Sequence, residues 1–161
     1  MTPISDRAAI FIAEEEGFRA EAYPDPIHGW EVPTVGYGST TYPDGRKVKK
    51  GDRIGKMEAR IMLSHFLNTQ VFPVINATPC SQYLNENQMV ALASFGYNLG
   101  PGYFTSRHTL MGTMLSDPSL WTAKEYVTEM FMVYCNPGTS AETGLKNRRK
   151  REAELFLKPV V

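Results

Sequence analysis

Between Tyr23 and Gly55, proline, glycine and aspartate recur every few residues. A chain punctuated this densely cannot sustain a helix and must turn back on itself several times. The short runs Thr34-Val35-Gly36-Tyr37 and Arg46-Lys47-Val48 lie between these breaks, and Tyr42-Pro43-Asp44-Gly45 is a strong turn signal. The segment therefore reads as a small antiparallel sheet with tight turns. Helical periodicity flanks it on both sides. Ala8, Phe11, Ile12 and the Glu15/Glu16 pair recur at helical spacing behind a cap at Ser5 or Asp6, and Gly17 is the stop. After Gly55, Met57, Ile61, Met62, Phe66 and Leu67 mark one apolar face of a long helix that reaches towards Ile75, with Pro73 bending or ending it. Further helices are expected over 85–98, around 109–115, 119–134 and 147–157, with breaks at Gly100-Pro101-Gly102 and Asn136-Pro137-Gly138.

At 161 residues the chain can build one substantial core, or two small lobes that share one. Seventeen basic residues balance seventeen acidic ones, so no global charge argues for nucleic acid. Basic residues cluster locally at Arg46 to Lys50 and Lys146 to Arg151, each read as a solvated face or as a weak attraction to an acidic polymer. Cys80 and Cys135 lack metal-type spacing and read as buried free thiols. The apolar stretch from Ala8 to Ala13 runs straight into three glutamates, so it reads as neither signal peptide nor membrane anchor. His28, His65 and His108 are scattered, and no metal or other cofactor is expected.

The candidate chemistry is carboxylate chemistry. Cleavage of a glycosidic bond needs one carboxyl group that keeps its proton for the leaving oxygen and a second that stays charged. Glu14, Glu15 and Glu16 stand together at the end of the first helical pattern, and periodicity cannot choose among them. A negative charge at a helix C-terminus is disfavoured by the macrodipole, which suits a proton donor there. Asp25 lies between Pro24 and Pro26, which hold the backbone extended. An aspartate in that context is also an ordinary turn residue.

Glu16-Gly17, Asp25 nine positions after the Glu, and Thr34-Val35-Gly36-Tyr37-Gly38 together resemble the phage-type lysozymes, muramidases of glycoside hydrolase family 24. Asn87-Gln88-Met89, Ser94 to Gly100, Gly144 to Arg149 and Glu152 to Phe156 carry the resemblance nearly end to end. It selects Glu16 as general acid, Asp25 as the charged partner and Thr34 as the residue that helps hold water. It places Asn98 against sugar. Trp30, in the inserted loop, reads either as a ring that stacks on a sugar or as a small-lobe core residue, and Tyr37 is a further candidate substrate contact. Arg148 matches an arginine that pairs with the catalytic Glu, and Arg149 is one register slip away. Two departures stand out. Ser39 replaces the usual histidine, and the loop from Ile27 to Pro33 carries about three extra positions between Asp25 and Thr34.

The resemblance implies an α+β fold in a single domain over 1–161. A small antiparallel-sheet lobe, about 13–55, and a larger helical lobe, about 56–161 plus the N-terminal helix, are joined by a long helix and enclose a groove. It further implies hydrolysis of the β-1,4 bond from N-acetylmuramic acid to N-acetylglucosamine in a peptidoglycan glycan strand, by a monomeric phage endolysin. Such an enzyme waits in the host cytoplasm until lysis, does not insert stably in the membrane, and depends on a separate holin-like permeabilising protein for access to the wall. The alternative is a catalytically impaired wall-binding module that keeps the groove.

Overall fold

Helix α1 (Ile4–Glu16) buries Ser5, Ala8, Ala9 and Ile12 on one face and packs on α2 (Lys56–Phe66), which buries Ala59, Met62 and Leu63. The computed structural model describes residues 2–106 and 108–161. By internal contacts the chain divides into two units, Met1–Thr69 and Gln70–Val161. The boundary thus falls later than residue 55, with α1 and α2 gathered beside the sheet in the first unit.

In the first unit, β1 (Arg19–Asp25) and β2 (Gly29–Gly36) form a two-stranded antiparallel sheet. Midway along β1 the ladder to β2 is interrupted, and the chain pairs with a later segment instead. Ala22 N–H donates to the Asp52 carbonyl (2.8 Å), and Ile54 N–H donates to the Ala20 carbonyl (2.9 Å). The expected turn after Tyr42 closes with Gly45 N–H on the Tyr42 carbonyl at 2.9 Å. Gly36 has φ +68°, and a Cβ there would stand 2.9 Å from the Ala59 Cβ. Glycine is therefore required both by the backbone and by the close approach of β2 to α2.

Three expectations about the helices need correction. α1 begins at Ile4 behind Pro3, whose carbonyl takes the Asp6 and Arg7 N–H groups at 3.1 Å, so neither Ser5 nor Asp6 caps it. The apolar face of α2 is rotated from the one expected: Met57, Ile61 and Phe66 are exposed, while Ala59, Met62, Leu63 and Leu67 are buried. The helical path does not end at Pro73. It passes through a π-helical segment, Leu67–Val71, into α3 (Phe72–Asn76), where Pro73 occupies the first turn. A proline is tolerated there because first-turn N–H groups have no intrahelical partner.

The second unit is helical and centred on α4 (Glu86–Leu99), which is buried from Val90 through Gly96. A capping box starts it: Gln88 N–H donates to Asn85 Oδ1 (2.8 Å), and Asn85 N–H donates to Gln88 Oε1 (2.9 Å). A Cβ on Gly96 would meet the Phe104 ring at 2.9 Å and Val71 at 3.2 Å, so the glycine lets the aromatic core close. Phe95 packs among Phe104, Phe131 and Tyr134, with ring centroids 5.1 to 5.8 Å away. α5 (Leu110–Leu115) is capped by the Thr109 hydroxyl. The expected helix over 119–134 is split into a 3-10 turn, Pro118–Leu120, and α6 (Lys124–Met132). α7 (Glu142–Leu157) packs on α4 and α6. Among the described residues no helix is long and apolar enough to cross a membrane. Both cysteines are free thiols, but only Cys135 is buried.

Candidate active site

Glu16 is the last residue of α1. Gly17 follows with φ +70°, a backbone conformation that side chains resist, and its N–H closes on the Ala13 carbonyl at 3.2 Å. The helix therefore stops directly after the glutamate, which stands half-buried at its end, whereas Glu14 is exposed.

Asp25 ends β1, at the mouth of the hairpin turn, paired with Gly29. Its Oδ1 accepts the Ile27 N–H at 2.9 Å and the His28 N–H at 2.8 Å, and His28 Nδ1 lies 3.1 Å away. The carboxylate thus builds its own turn, so the turn-aspartate reading holds alongside any catalytic one. The His28 and Ile27 amides hold the Asp25 carboxyl below the ordinary aspartate range. Every described donor converges on Oδ1, and none engages Oδ2.

The extra residues in the loop have a definite place. Pro24 pairs with Pro33, but Asp25 pairs with Gly29, so Trp30, Glu31 and Val32 are left out of the ladder. The extra residues are carried as a bulge on β2 alone, so the register shifts between Pro24 and Asp25. Thr34 remains in the ladder, opposite Tyr23. It is 5% exposed, and its hydroxyl donates to the Val32 carbonyl at 3.1 Å.

Tyr23, which sequence reasoning passed over, links these groups. The Arg19 guanidinium lies 4.4 Å from the centre of its ring. Burial pushes the Tyr23 hydroxyl above its ordinary value; the Arg19 charge opposes this, and the Glu16 and Asp25 charges add to it. One phenol therefore lies within electrostatic reach of both carboxyl groups. Its position two residues before Asp25 was the available signal, since alternate strand residues share a face.

Trp30 is 43% exposed, and the Lys50 ammonium lies 4.9 Å from its ring centre. Tyr37 follows β2 by one residue. It is buried, packs against Phe18 at 5.6 Å, and lines a cavity of roughly 840 Å³ with Asp6, Lys56, Met57 and Ile61. Glu16, Asp25 and Thr34 are not in the lining of that cavity.

Asn98, Arg148 and Arg149 belong to the second unit. Arg148 and Arg149 are buried on α7, so two of the five basic residues from Lys146 to Arg151 are interior rather than part of a solvated face. They flank Glu152, which is fully buried. Ser94 Oγ donates to Glu152 Oε2 at 2.6 Å, Arg148 Nε lies 3.4 Å from the same oxygen, and Arg149 Nη1 donates to Oε1. Burial pushes the Glu152 carboxyl above its ordinary value, against the pull of Arg149, Ser94 and Arg148. Arg148 Nη2 also donates to the Ser94 carbonyl (3.1 Å). Arg149 donates from Nε to the Tyr134 carbonyl (3.0 Å) and from Nη2 to Asn98 Oδ1, with its guanidinium 5.0 Å from the centre of the Phe95 ring. Glu152 and Ser94 also escaped the sequence reading, although the spacing of Glu152 from both arginines, three and four positions, is that of helical ion pairs.

Comparison with known proteins fits this arrangement. Residues 13–152 match the phage lysozyme family. The chain is similar to the endolysin of Salmonella phage P22, 28% identical over 157 residues, covering 98% of this chain and 99% of that protein. Similarity to the endolysin of Lactococcus phage c2 is 27% over 157 residues, covering 98% of this chain and 61% of that protein. Among solved structures, a mutant of P22 lysozyme superposes with a TM-score of 0.72 at 30% identity, covering 98% of this chain and 100% of the other. The matched span includes the helix end carrying Glu16, the hairpin carrying Asp25 and Thr34, and the buried arginines of α7, and the chain belongs to the phage lysozyme family.

Proposed function

We propose that this chain is a phage endolysin of the muramidase type, hydrolysing the β-1,4 bond from N-acetylmuramic acid to N-acetylglucosamine in peptidoglycan. The observation that carries the reading is the first unit's pair of carboxyl groups, one at a helix end and one at a strand end, both felt by the Tyr23 hydroxyl. In this reading Glu16 gives its proton to the leaving glycosidic oxygen. Asp25, held ionised by the Ile27 and His28 amides, stabilises the positive charge that develops on the sugar or orients the attacking water. Thr34, its proton engaged by the Val32 carbonyl, offers its lone pairs to that water. Trp30 presents an exposed ring face for apolar stacking on a sugar. Asn98 supplies a polar contact to the glycan, and Arg148 supports the site.

The chain works as a monomer and waits in the host cytoplasm. A separate permeabilising protein of the holin kind then gives it access to the wall. The alternative of an impaired wall-binding module has no support, because the loop excess is taken up at Trp30 to Val32 and Thr34 keeps its ladder place opposite Tyr23.

Digestion of purified peptidoglycan, with borohydride reduction and mass spectrometry of the products, tests the assignment. New reducing ends on N-acetylmuramic acid are expected. Reducing ends on N-acetylglucosamine, or release of peptides alone, would contradict it.

A further inference from the structure

Asn98 is half-buried, one residue before the end of α4, and its Oδ1 accepts from Arg149 Nη2. A guanidinium has five donors and no acceptor, so only the oxygen of an amide can face it. The orientation of the Asn98 amide is therefore dictated by chemistry. Arg149 is itself locked from three further sides, by Glu152, by the Tyr134 carbonyl and by the Phe95 ring, and is fully buried. Among the described residues no buried side-chain nitrogen or oxygen lacks a partner. No described residue accepts from Asn98 Nδ2, so that group is open to solvent.

We infer that Arg149 is a positioning residue for substrate: it fixes Asn98 as a hydrogen-bond donor, directed at an acceptor oxygen of the glycan. The inference rests on the reading of Asn98 as a sugar contact and adds the polarity of that contact and the residue that sets it. The acceptor is a carbonyl-type or hydroxyl oxygen, supplied either by an acetamido group or by the sugar ring. Buried charge pairs hold their partners rigidly when every donor is satisfied, and a rigid amide keeps more of its hydrogen bond on binding.

The test is binding of an uncharged N-acetylglucosamine tetramer, followed by calorimetry in a Glu16→Gln background so that turnover does not interfere. Asn98→Asp keeps the partner of Arg149 but removes the donor. It should weaken binding about tenfold, as Asn98→Ala should, while the melting temperature of the Asp variant is retained. In an Arg149→Lys background, Asn98→Asp should cost much less, because a single ammonium held by Glu152 lacks the guanidinium fork that also reaches Asn98, and the amide is no longer fixed. If Arg149→Lys does not fold, Arg149→Gln takes its place in the same cycle. Asn98→Asp binding as well as Asn98 would overturn the inference, as would losses for the Asp and Lys changes that simply multiply. Two arms separate the possible acceptors. An Asn98→Ala penalty that vanishes on the de-N-acetylated tetramer identifies the acetamido oxygen, and one that persists identifies a ring hydroxyl; either supports the donor role. Equal tetramer binding by Asn98, Asn98→Asp and Asn98→Ala would instead remove Asn98 from the sugar site altogether, with the carboxylate chemistry of the first unit untouched.

Discussion

Asp25 and Glu152 show two ways of holding a carboxylate. Asp25 ends a strand, its Oδ1 gripped by two backbone amides of a turn, and those amides push its carboxyl down. Glu152 is fully buried, gripped by two arginines and a serine, and burial pushes its carboxyl up. The first arrangement leaves one oxygen available for chemistry. The second consumes both oxygens, and its product is a fixed side-chain geometry. Acidic residues of similar appearance in sequence thus divide into one proposed to act on a ligand and one that holds other residues still.

Removing Glu152 should give the largest effect on stability. Glu152→Ala leaves Arg148 and Arg149 buried without their counter-charge, at a cost of about 3–5 kcal/mol in a denaturant melt. A loss below about 1 kcal/mol would mean the network is not a structural anchor. Asp25→Asn should do the opposite. It should lower the hydrolysis rate about 10²- to 10³-fold, as loss of an electrostatic stabiliser does, with little change in melting temperature. If its main effect were on stability, the contrast between the two carboxylates would collapse. Thr34→Ala should cost roughly fivefold in rate, the scale of one neutral hydrogen bond. A dead Thr34→Ala beside a nearly normal Asp25→Asn would mean that the longer loop has exchanged their roles.

The smallest effect concerns Tyr42, whose hydroxyl donates to Asp52 at 2.9 Å. Burial, then the bond to Asp52, pushes the phenol from 10.0 up to about 12. A group with a raised folded-state value contributes stability that is fully present below its unfolded value and lost above it. The Tyr42 contribution is therefore intact below pH 10.0 and fades as pH climbs to about 12. Tyr42→Phe should flatten that part of the alkaline decline in a pH series of thermal melts. An unchanged slope would show that this hydroxyl does not couple to folding.

Much of the first unit was legible because its signals are local. Gly17 stops α1 where the sequence places it, and Tyr42 to Gly45 turn as their types require. The loop excess could be counted from the chain, but its location at Trp30 to Val32 depends on which residues pair across the hairpin. The face of α2 was misread because Met57 and Ile61 repeat at the same helical spacing as a buried stripe. The stripe that packs contains Ala59, a small residue that lets the glycine of β2 approach, and hydrophobicity alone does not reveal such a fit. The buried arginines of α7 were hidden for a related reason. Six residues rich in lysine and arginine look like a solvated face until Glu152 and Ser94 are brought to them by packing of α7 on α4.

We propose Glu16, and neither of its two neighbours, as the proton donor. Glu14→Gln, Glu15→Gln and Glu16→Gln, each checked for folding by circular dichroism, can be compared side by side for hydrolysis of purified peptidoglycan. Glu16→Gln should be at least about 10²-fold slower, the minimum expected for loss of a general acid, while the other two hydrolyse at the parent rate. An inactive Glu15→Gln with an active Glu16→Gln would contradict the assignment of the acid to the last residue of α1.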